Sequence, residues 1–237
     1  MDNFNNNWKN EYDSGDGLRN IFKVRFEMLS IRSQLRNLIK KEIITYSQIL
    51  EKEKFNVKIY ICRAKCKRLI HQFRGAIEDC TMALSINNEF PAAWDERAFC
   101  HYLLKEYKKA IFNYTELLKL KVSDEAYYFR GISRARLKMY SMAIEDFTES
   151  IKMGKGEDQE TMYKRAYCYL VTKKYDEAIN DLLKALKLDS QNVKYLHYLG
   201  EAYKGKGDIR VAEEVFELEK ELKPLAGMDD EETKEGI

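Results

Sequence analysis

Proline and glycine are scarce in this chain, with 2 and 11 occurrences in 237 residues. Because both residue types interrupt helices, their scarcity favours a largely helical protein. No apolar stretch approaches the roughly 20 residues that a membrane-spanning helix needs. The first residues, MDNFNNNWKNEYDSGDG, are polar and lack the basic start and apolar centre of a signal peptide. These absences predict an intracellular, cytoplasmic protein whose 5 cysteines are free thiols.

Residues that usually carry catalysis or bind metals are few and scattered. The histidines His71, His101 and His197 are widely separated, and no nucleophile–base–acid pattern or phosphate-binding loop occurs. Cys62 and Cys66 lie one helical turn apart, but no further histidine or cysteine completes a zinc site. The sequence therefore predicts a protein that is not an enzyme and that holds no metal or cofactor.

Charge is unevenly distributed along the chain, although the net charge is only +2. Residues 23–70 contain 13 lysines and arginines but only 4 glutamates, a balance of +9. By subtraction, the rest of the chain carries −7. Two interpretations remain open: an uneven solvated surface, or a basic end that meets an acidic partner.

A pattern of about 34 residues recurs along the chain. One alanine recurs at intervals of 34, 33, 35 and 34 residues, and another small residue precedes it by twelve residues each time. The alanines are Ala76, Ala110, Ala143, Ala178 and Ala212, and the preceding small residues are Ala64, Ala98, Gly131, Ala166 and Gly200. We interpret each repeat as two antiparallel helices, because small residues that face one another let helices approach closely.

These repeats resemble the tetratricopeptide repeat (TPR) family. The similarity is clearest in AYYFRGISRARLKMYSMAIEDFTESI (126–151) and MYKRAYCYLVTKKYDEAINDLLKALKLDSQN (162–192). It implies an all-α fold, a right-handed superhelical solenoid of stacked helix-turn-helix units. The five expected units are 57–90, 91–123, 124–158, 159–192 and 193–226. Polar Glu213 and Lys220 replace apolar residues in the last unit, which is typical of the end of a repeat array.

The segments that flank these five units are also predicted from their patterns. Residues 18–56 show helical periodicity and are expected to form a degenerate helix pair, a candidate sixth unit. Its register places Glu42 where the repeated alanine belongs, which departs from the family pattern. Residues 1–17 and 227–237 are expected to be a polar and an acidic tail.

An arginine recurs in the first helix of four units, and an acid or amide follows sixteen residues later. The pairs are Arg63 with Asp79, Arg97 with Asn113, Arg130 with Asp146, and Arg165 with Asp181. We predict a bond between the two members of each pair, joining the two helices of the unit. Its role would be to set the geometry of the pair.

The resemblance also implies a binding surface, because the first helices of TPR units line a concave groove that usually holds the ligand. It assigns to this groove Lys65, Arg68, Asp95, Phe99, Tyr102, Glu125, Tyr128, Phe129, Tyr163, Tyr167 and Tyr198. Aromatic side chains are common anchors for a partner. The expected function is a non-catalytic scaffold that binds an extended or helical partner segment within a larger assembly. Alternatively, several of these rings pack only on neighbouring helices.

Other partners are weighed against this expectation. TPR proteins that bind the acidic C-termini of heat-shock chaperones need a set of lysine, asparagine and arginine at fixed positions in three successive units. No three units here match that set, which disfavours chaperone tails. The alternative is a structural component whose basic N-terminal end docks an acidic cytoskeletal or axonemal lattice, or another acidic polymer. Nucleic acid is the weaker choice, because the total charge is near neutral.

Overall fold

The computed structural model describes residues 15–154 and 158–226, with side chains from 28 to 154 and from 158 to 223. Within these ranges the chain forms eleven helices and no strand. They are α1 (Gly15–Lys52), α2 (Val57–Leu69), α3 (Phe73–Ile86), α4 (Pro91–Leu103), α5 (Tyr107–Leu120), α6 (Asp124–Arg136), α7 (Tyr140–Met153), α8 (Gln159–Val171), α9 (Tyr175–Leu188), α10 (Val193–Lys206) and α11 (Ile209–Ala226). The predicted acidic tail and nearly all of the polar tail lie outside the described residues.

Helices α2 to α11 form five antiparallel pairs that stack in chain order. Each helix packs mainly on the helix before it and the helix after it. This is an all-α repeat solenoid, in which the core continues from one pair to the next because no single pair can cover its own apolar face. The exact boundaries of the five units, as distinct from the helices, stay a prediction.

A tight turn joins the two helices of each pair, and one residue in it adopts a left-handed backbone conformation. His71, Lys105, Lys138, Lys173 and Gly207 occupy this position, with φ angles of 64°, 58°, 61°, 61° and 101°. The turn satisfies the last carbonyls of the first helix, as when the N–H of His71 donates to the carbonyl of Arg68 at 2.9 Å. Four of the five turns use no glycine, although other residues are disfavoured in this conformation.

The turns between successive pairs are capped by side chains instead. Asn56, Ser123, Asp158 and Asn192 each accept a hydrogen bond from a backbone N–H in the first turn of α2, α6, α8 and α10. Pro91 opens α4, at a position where an N–H would have no partner within the helix. These residues determine where each first helix begins.

One continuous helix, α1, takes the place of the helix pair expected over residues 18–56, which corrects that prediction. It has 38 residues and is about 57 Å long at the usual rise of an α-helix. No glycine or proline lies between Leu18 and Val57 to interrupt the helix. Asn37 precedes the turn residue His71 by one repeat of 34 residues, yet the helix continues through it.

The two halves of α1 have different surroundings. The C-terminal half packs on α2, and Leu50 is buried in the core cluster of the first pair. This half therefore takes the position that the second helix of a preceding pair would have. Residues 28–38, in contrast, are all exposed.

The predicted close approach of the helices within each pair is confirmed. All five repeated alanines are buried, with at most 2% of their surface exposed. The ring of Phe147 fills the space beside Gly131, because a Cβ there would lie 2.8 Å from Phe147 Cε1. Gly200 stands in the same relation to Phe216.

The predicted bond between the repeated arginine and the residue sixteen positions later is confirmed in all four pairs. The shortest distances are 2.6 Å for Arg63–Asp79, 2.6 Å for Arg97–Asn113, 2.7 Å for Arg130–Asp146 and 2.7 Å for Arg165–Asp181. Each acceptor side chain is buried, with no more than 3% exposure. The arginine therefore compensates a polar group inside the pair.

The same arginines also bond to the preceding helix, which sequence analysis missed. Nη1 of each arginine donates to a hydroxyl on that helix, to Ser47, Thr81, Thr115 and Thr148 at 3.0, 3.3, 3.2 and 3.0 Å. Each arginine thus joins three helices, its own pair and the last helix before it. Ser47 lies on α1, so this contact ties α1 to the repeat array in the same way.

Removing one of these arginines tests whether the buried partner needs it. Among the described residues, Asp181 has only Arg165 as a cationic partner, whereas Arg97 bonds to the neutral Asn113. We expect Arg165→Met to lower the free energy of unfolding by about 3 kcal/mol, because it leaves a buried carboxylate uncompensated. Arg97→Met, the matched control, costs about 1 kcal/mol.

Urea unfolding followed by circular dichroism measures both variants. Equal losses in the two variants would contradict a charge-specific role of Arg165.

Candidate partner-binding groove

The first helices of the pairs, α2, α4, α6, α8 and α10, lie side by side along one face of the solenoid. Each contacts the next first helix in the row, whereas no comparable contact joins successive second helices among the described residues. The second helices therefore spread apart, and the face lined by the first helices is the concave one. This is the groove in which the predicted site residues were expected.

A pocket of about 450 Å³ lies in this groove between α2, α4 and α6. It brings together seven of the eleven predicted site residues: Lys65, Arg68, Asp95, Phe99, Glu125, Tyr128 and Phe129. Glu96 and Tyr114 complete its lining. The pocket draws its residues from three successive pairs, so stacking of the pairs creates it.

The aromatic wall of the pocket is centred on Phe129. The ring centroid of Phe129 lies 4.9 Å from that of Phe99, 5.1 Å from that of Tyr102 and 5.2 Å from that of Tyr128. These side chains are partly exposed. Edge-to-face and tilted contacts of this kind hold the rings in place and leave part of their faces open to the groove.

Arg68 is held by an ion pair inside the groove. Its Nε lies 2.5 Å from Glu96 Oε1, and its guanidinium carbon lies 5.2 Å from the centroid of the Phe99 ring. The side chain of Glu96 is only 6% exposed. The pair joins α2 to α4, so the charge of Arg68 is largely used within the protein.

Asp95 and Glu125 are negatively charged neighbours without a cation bound to either. Burial raises the pKa of Asp95, and the negative charges of Glu125 and Glu96 raise it further, while Lys65 and Lys121 oppose the shift. Neither Asp95 nor Glu125 makes an ion pair with another described residue. The pocket therefore contains a local excess of negative charge.

Tyr114 is a pocket residue that sequence analysis missed. It lies on α5, a second helix, and packs parallel to Phe129 with centroids 6.2 Å apart. Its side chain is 1% exposed, and its hydroxyl has no hydrogen-bond partner among the described residues. The sequence held one sign of this role. Cys80, Phe147 and Phe216 occupy the same register in other units, and Tyr114 is the one residue of the four with a hydroxyl group.

The remaining predicted residues lie farther along the groove. The rings of Tyr163, Tyr167 and Tyr198 form a second group, with centroids 5.5 Å apart for Tyr163–Tyr198 and 5.6 Å for Tyr167–Tyr198. Tyr163 is 3% exposed and Tyr198 is 9% exposed, and both belong to the core cluster of the last two pairs. Their burial leaves Tyr167 as the accessible ring of this group.

No group of three or more histidine, cysteine, aspartate or glutamate side chains is arranged to hold a metal ion within the described part of the chain. Across the same residues, no helix combines the length and apolar character that crossing a membrane requires.

Comparison with known protein sequences finds the TPR repeat and several partial relatives. The sequence profile of the TPR repeat matches residues 169–207. The chain is 29% identical over 103 residues to the heat shock protein STI1 of Saccharomyces cerevisiae, which is 44% of this chain and 18% of that protein. It is 47% identical over 55 residues to the human mitochondrial import receptor subunit TOM34, which is 23% of this chain and 18% of that protein. The matched regions are thus less than a fifth of these relatives' length.

Comparison with solved structures finds the same architecture. The crystal structure of YrrB, described as a TPR protein with an unusual peptide-binding site, superposes with a TM-score of 0.71 at 17% identity, covering 76% of this chain and 92% of that one. The crystal structure of MamA superposes with a TM-score of 0.68 at 22% identity, covering 71% and 92%. With its repeat period, its stacked helix pairs and these matches, the chain has the fold of tetratricopeptide repeat proteins and contains a match to the TPR repeat at residues 169–207.

Proposed function

We propose that this chain is a non-catalytic scaffold that binds a segment of a partner protein in the groove, at the pocket between α2, α4 and α6. One observation carries the proposal: partly exposed aromatic rings line the same pocket as Asp95 and Glu125, neither of which makes an ion pair with another described residue. Rigid rings in a concave surface supply contact area at low entropic cost, and a few polar groups supply specificity. The similarity to YrrB, a protein with a peptide-binding site, supports the same interpretation.

Acidic chaperone tails fit this pocket poorly. Asp95 and Glu125 would repel a carboxylate, and Arg68 is already paired with Glu96. One partial relative is nevertheless named a heat shock protein, so an acidic chaperone tail is the alternative ligand to compare with the proposed one. An acidic C-terminal peptide therefore belongs among the probes of any binding experiment.

Removing two rings from the pocket tests the groove directly. We expect Phe99→Ala/Tyr128→Ala to weaken binding of peptides selected by the native chain from a random display library by at least about tenfold, because buried aromatic anchors dominate binding energy. The matched control is Phe55→Ala/Phe112→Ala, which removes two rings that are 80% and 56% exposed and lie outside the pocket.

Fluorescence anisotropy with the selected peptides measures the affinities, after circular dichroism shows that both variants fold. If the two variants lose affinity equally, or if neither does, the groove is not the binding surface.

A second candidate function rests on α1. Its surface exposes six large apolar side chains together with basic residues. Exposed apolar side chains are typical of an interaction surface, and the basic residues favour an acidic partner. The apolar residues are Met28, Leu29, Ile31, Leu35, Leu38 and Ile44, each at least 53% exposed. We propose as the alternative that α1 docks the chain on an acidic lattice such as a cytoskeletal filament.

Charge removal on α1 tests this alternative. If α1 docks on a lattice, Arg36→Gln/Lys40→Gln/Lys41→Gln abolishes co-sedimentation with polymerised tubulin or actin at low salt. Binding of the native chain then fades as salt rises, because exposed charges are screened. The control Lys108→Gln/Lys184→Gln/Lys187→Gln removes three exposed charges from second helices and leaves pelleting unchanged. Salt-resistant pelleting, or equal loss in the control, would contradict the role of α1.

A further inference from the structure

We infer that the pocket between α2, α4 and α6 receives a positively charged side chain, lysine or arginine, of the partner segment. The inference rests on the proposed function, because it assigns a ligand chemistry to the same groove. The part of the pocket concerned is formed by the carboxylates of Asp95 and Glu125, the hydroxyl of Tyr114 and the rings of Phe99 and Phe129. We call it the acceptor pocket.

The hydrogen-bonding capacity left over in the acceptor pocket is mainly that of acceptors. Ionised Asp95 and Glu125 can only accept, and the hydroxyl of Tyr114 can accept as well as donate. The hydroxyl of Tyr114 is buried at the wall of the pocket and has no hydrogen-bond partner among the described residues. Of the two cations that line the pocket, Arg68 is paired with Glu96, and Lys65 lowers the pKa of Asp95 without reversing its upward shift. An ammonium or guanidinium group carries several N–H donors and can therefore bond to more than one of these acceptors.

The local charge points to the same ligand. The pKa of Asp95 lies above its usual range because burial and the charges of Glu125 and Glu96 disfavour its ionised form. Lys65 and Lys121 act in the opposite direction but do not cancel the effect. An incoming cation would relieve this repulsion, whereas a carboxylate would add to it.

The rings of the pocket suit a cation as well. Aromatic faces attract ammonium and guanidinium groups within about 6 Å of the ring centroid. The wall already holds one such contact, between the guanidinium of Arg68 and the ring of Phe99 at 5.2 Å. A purely apolar ligand side chain would cover the rings but would leave the buried hydroxyl of Tyr114 without a partner.

A competing occupant, a metal ion, is disfavoured by the geometry. Asp95, Glu96 and Glu125 line one pocket, but no three such side chains within residues 28–154 and 158–223 converge as metal ligands. Glu96 is also turned toward Arg68. The negative groups are therefore placed for a ligand that reaches them separately.

Peptides selected for binding to the whole chain test whether the pocket takes a cation. We expect peptides from a random display library to share a lysine or arginine at one fixed position. A synthetic peptide with arginine at this position is compared with the same peptide carrying citrulline there, which lacks the positive charge but has nearly the same shape. We expect the exchange to weaken binding to the native chain by about tenfold, in line with loss of charged hydrogen bonds.

The variant Asp95→Asn/Glu125→Gln should lose this discrimination, so that the arginine and citrulline peptides bind within about threefold of each other. The charge-matched control, Glu78→Gln/Glu177→Gln, changes two exposed acids on second helices and should keep the native discrimination. Isothermal titration calorimetry measures all six combinations of the three proteins and the two peptides, together with an acidic C-terminal peptide.

The outcomes separate this inference from the proposed function. Peptides that need Phe99 and Tyr128 but bind equally well with arginine and citrulline overturn the inference and leave the groove as the binding surface. Selection of acidic peptides also overturns it. Peptides that bind independently of Phe99 and Tyr128 overturn the proposed function and, with it, the inference.

Tyr114→Phe isolates the buried hydroxyl. We expect the melting temperature of the free chain to rise by about 2–4 °C, because the variant removes a buried group without a partner. The affinity for the arginine peptide should fall several-fold in the same variant. A lower melting temperature with unchanged affinity would show that the hydroxyl is satisfied within the chain, and would overturn its role as an acceptor.

Discussion

Each helix pair in this protein depends on a neighbouring pair to cover its apolar face. The contacts between pairs therefore stabilise the fold and also form the groove. Alanine and glycine at the crossing let the two helices of a pair approach closely. The repeated arginine then bonds a buried group in its own pair and a hydroxyl on the preceding helix. Because the arginine joins three helices, it couples the geometry within a pair to the stacking of pairs.

The candidate site follows from this stacking. Lys65 and Arg68 lie on α2, Asp95 and Phe99 on α4, and Glu125 on α6, so residues that are far apart in the sequence line one pocket. A change in the angle between successive pairs would move these groups relative to one another. The negative charge and the aromatic wall are thus properties of the assembled array, since no single repeat contains them all.

The repeat period, the helix pairs and the arginine bonds could be predicted because each leaves several residues at a fixed spacing. Other features leave no such pattern. Residues 18–56 keep helical periodicity whether or not the chain turns at Asn37, so the continuous helix α1 could not be distinguished from a pair. Tyr114 occupies a core register, and only tertiary packing places its hydroxyl in the pocket. Tyr163 and Tyr198 have groove positions in the pattern, but packing of the last pairs buries them.

A crystal structure of the chain with a selected peptide bound is the most direct test of the account as a whole. The account predicts the peptide in the groove, with a lysine or arginine side chain in the acceptor pocket and its nitrogen within hydrogen-bond distance of Asp95 or Glu125. A peptide bound on α1 or on the second helices, or an acidic side chain in the pocket, would contradict it.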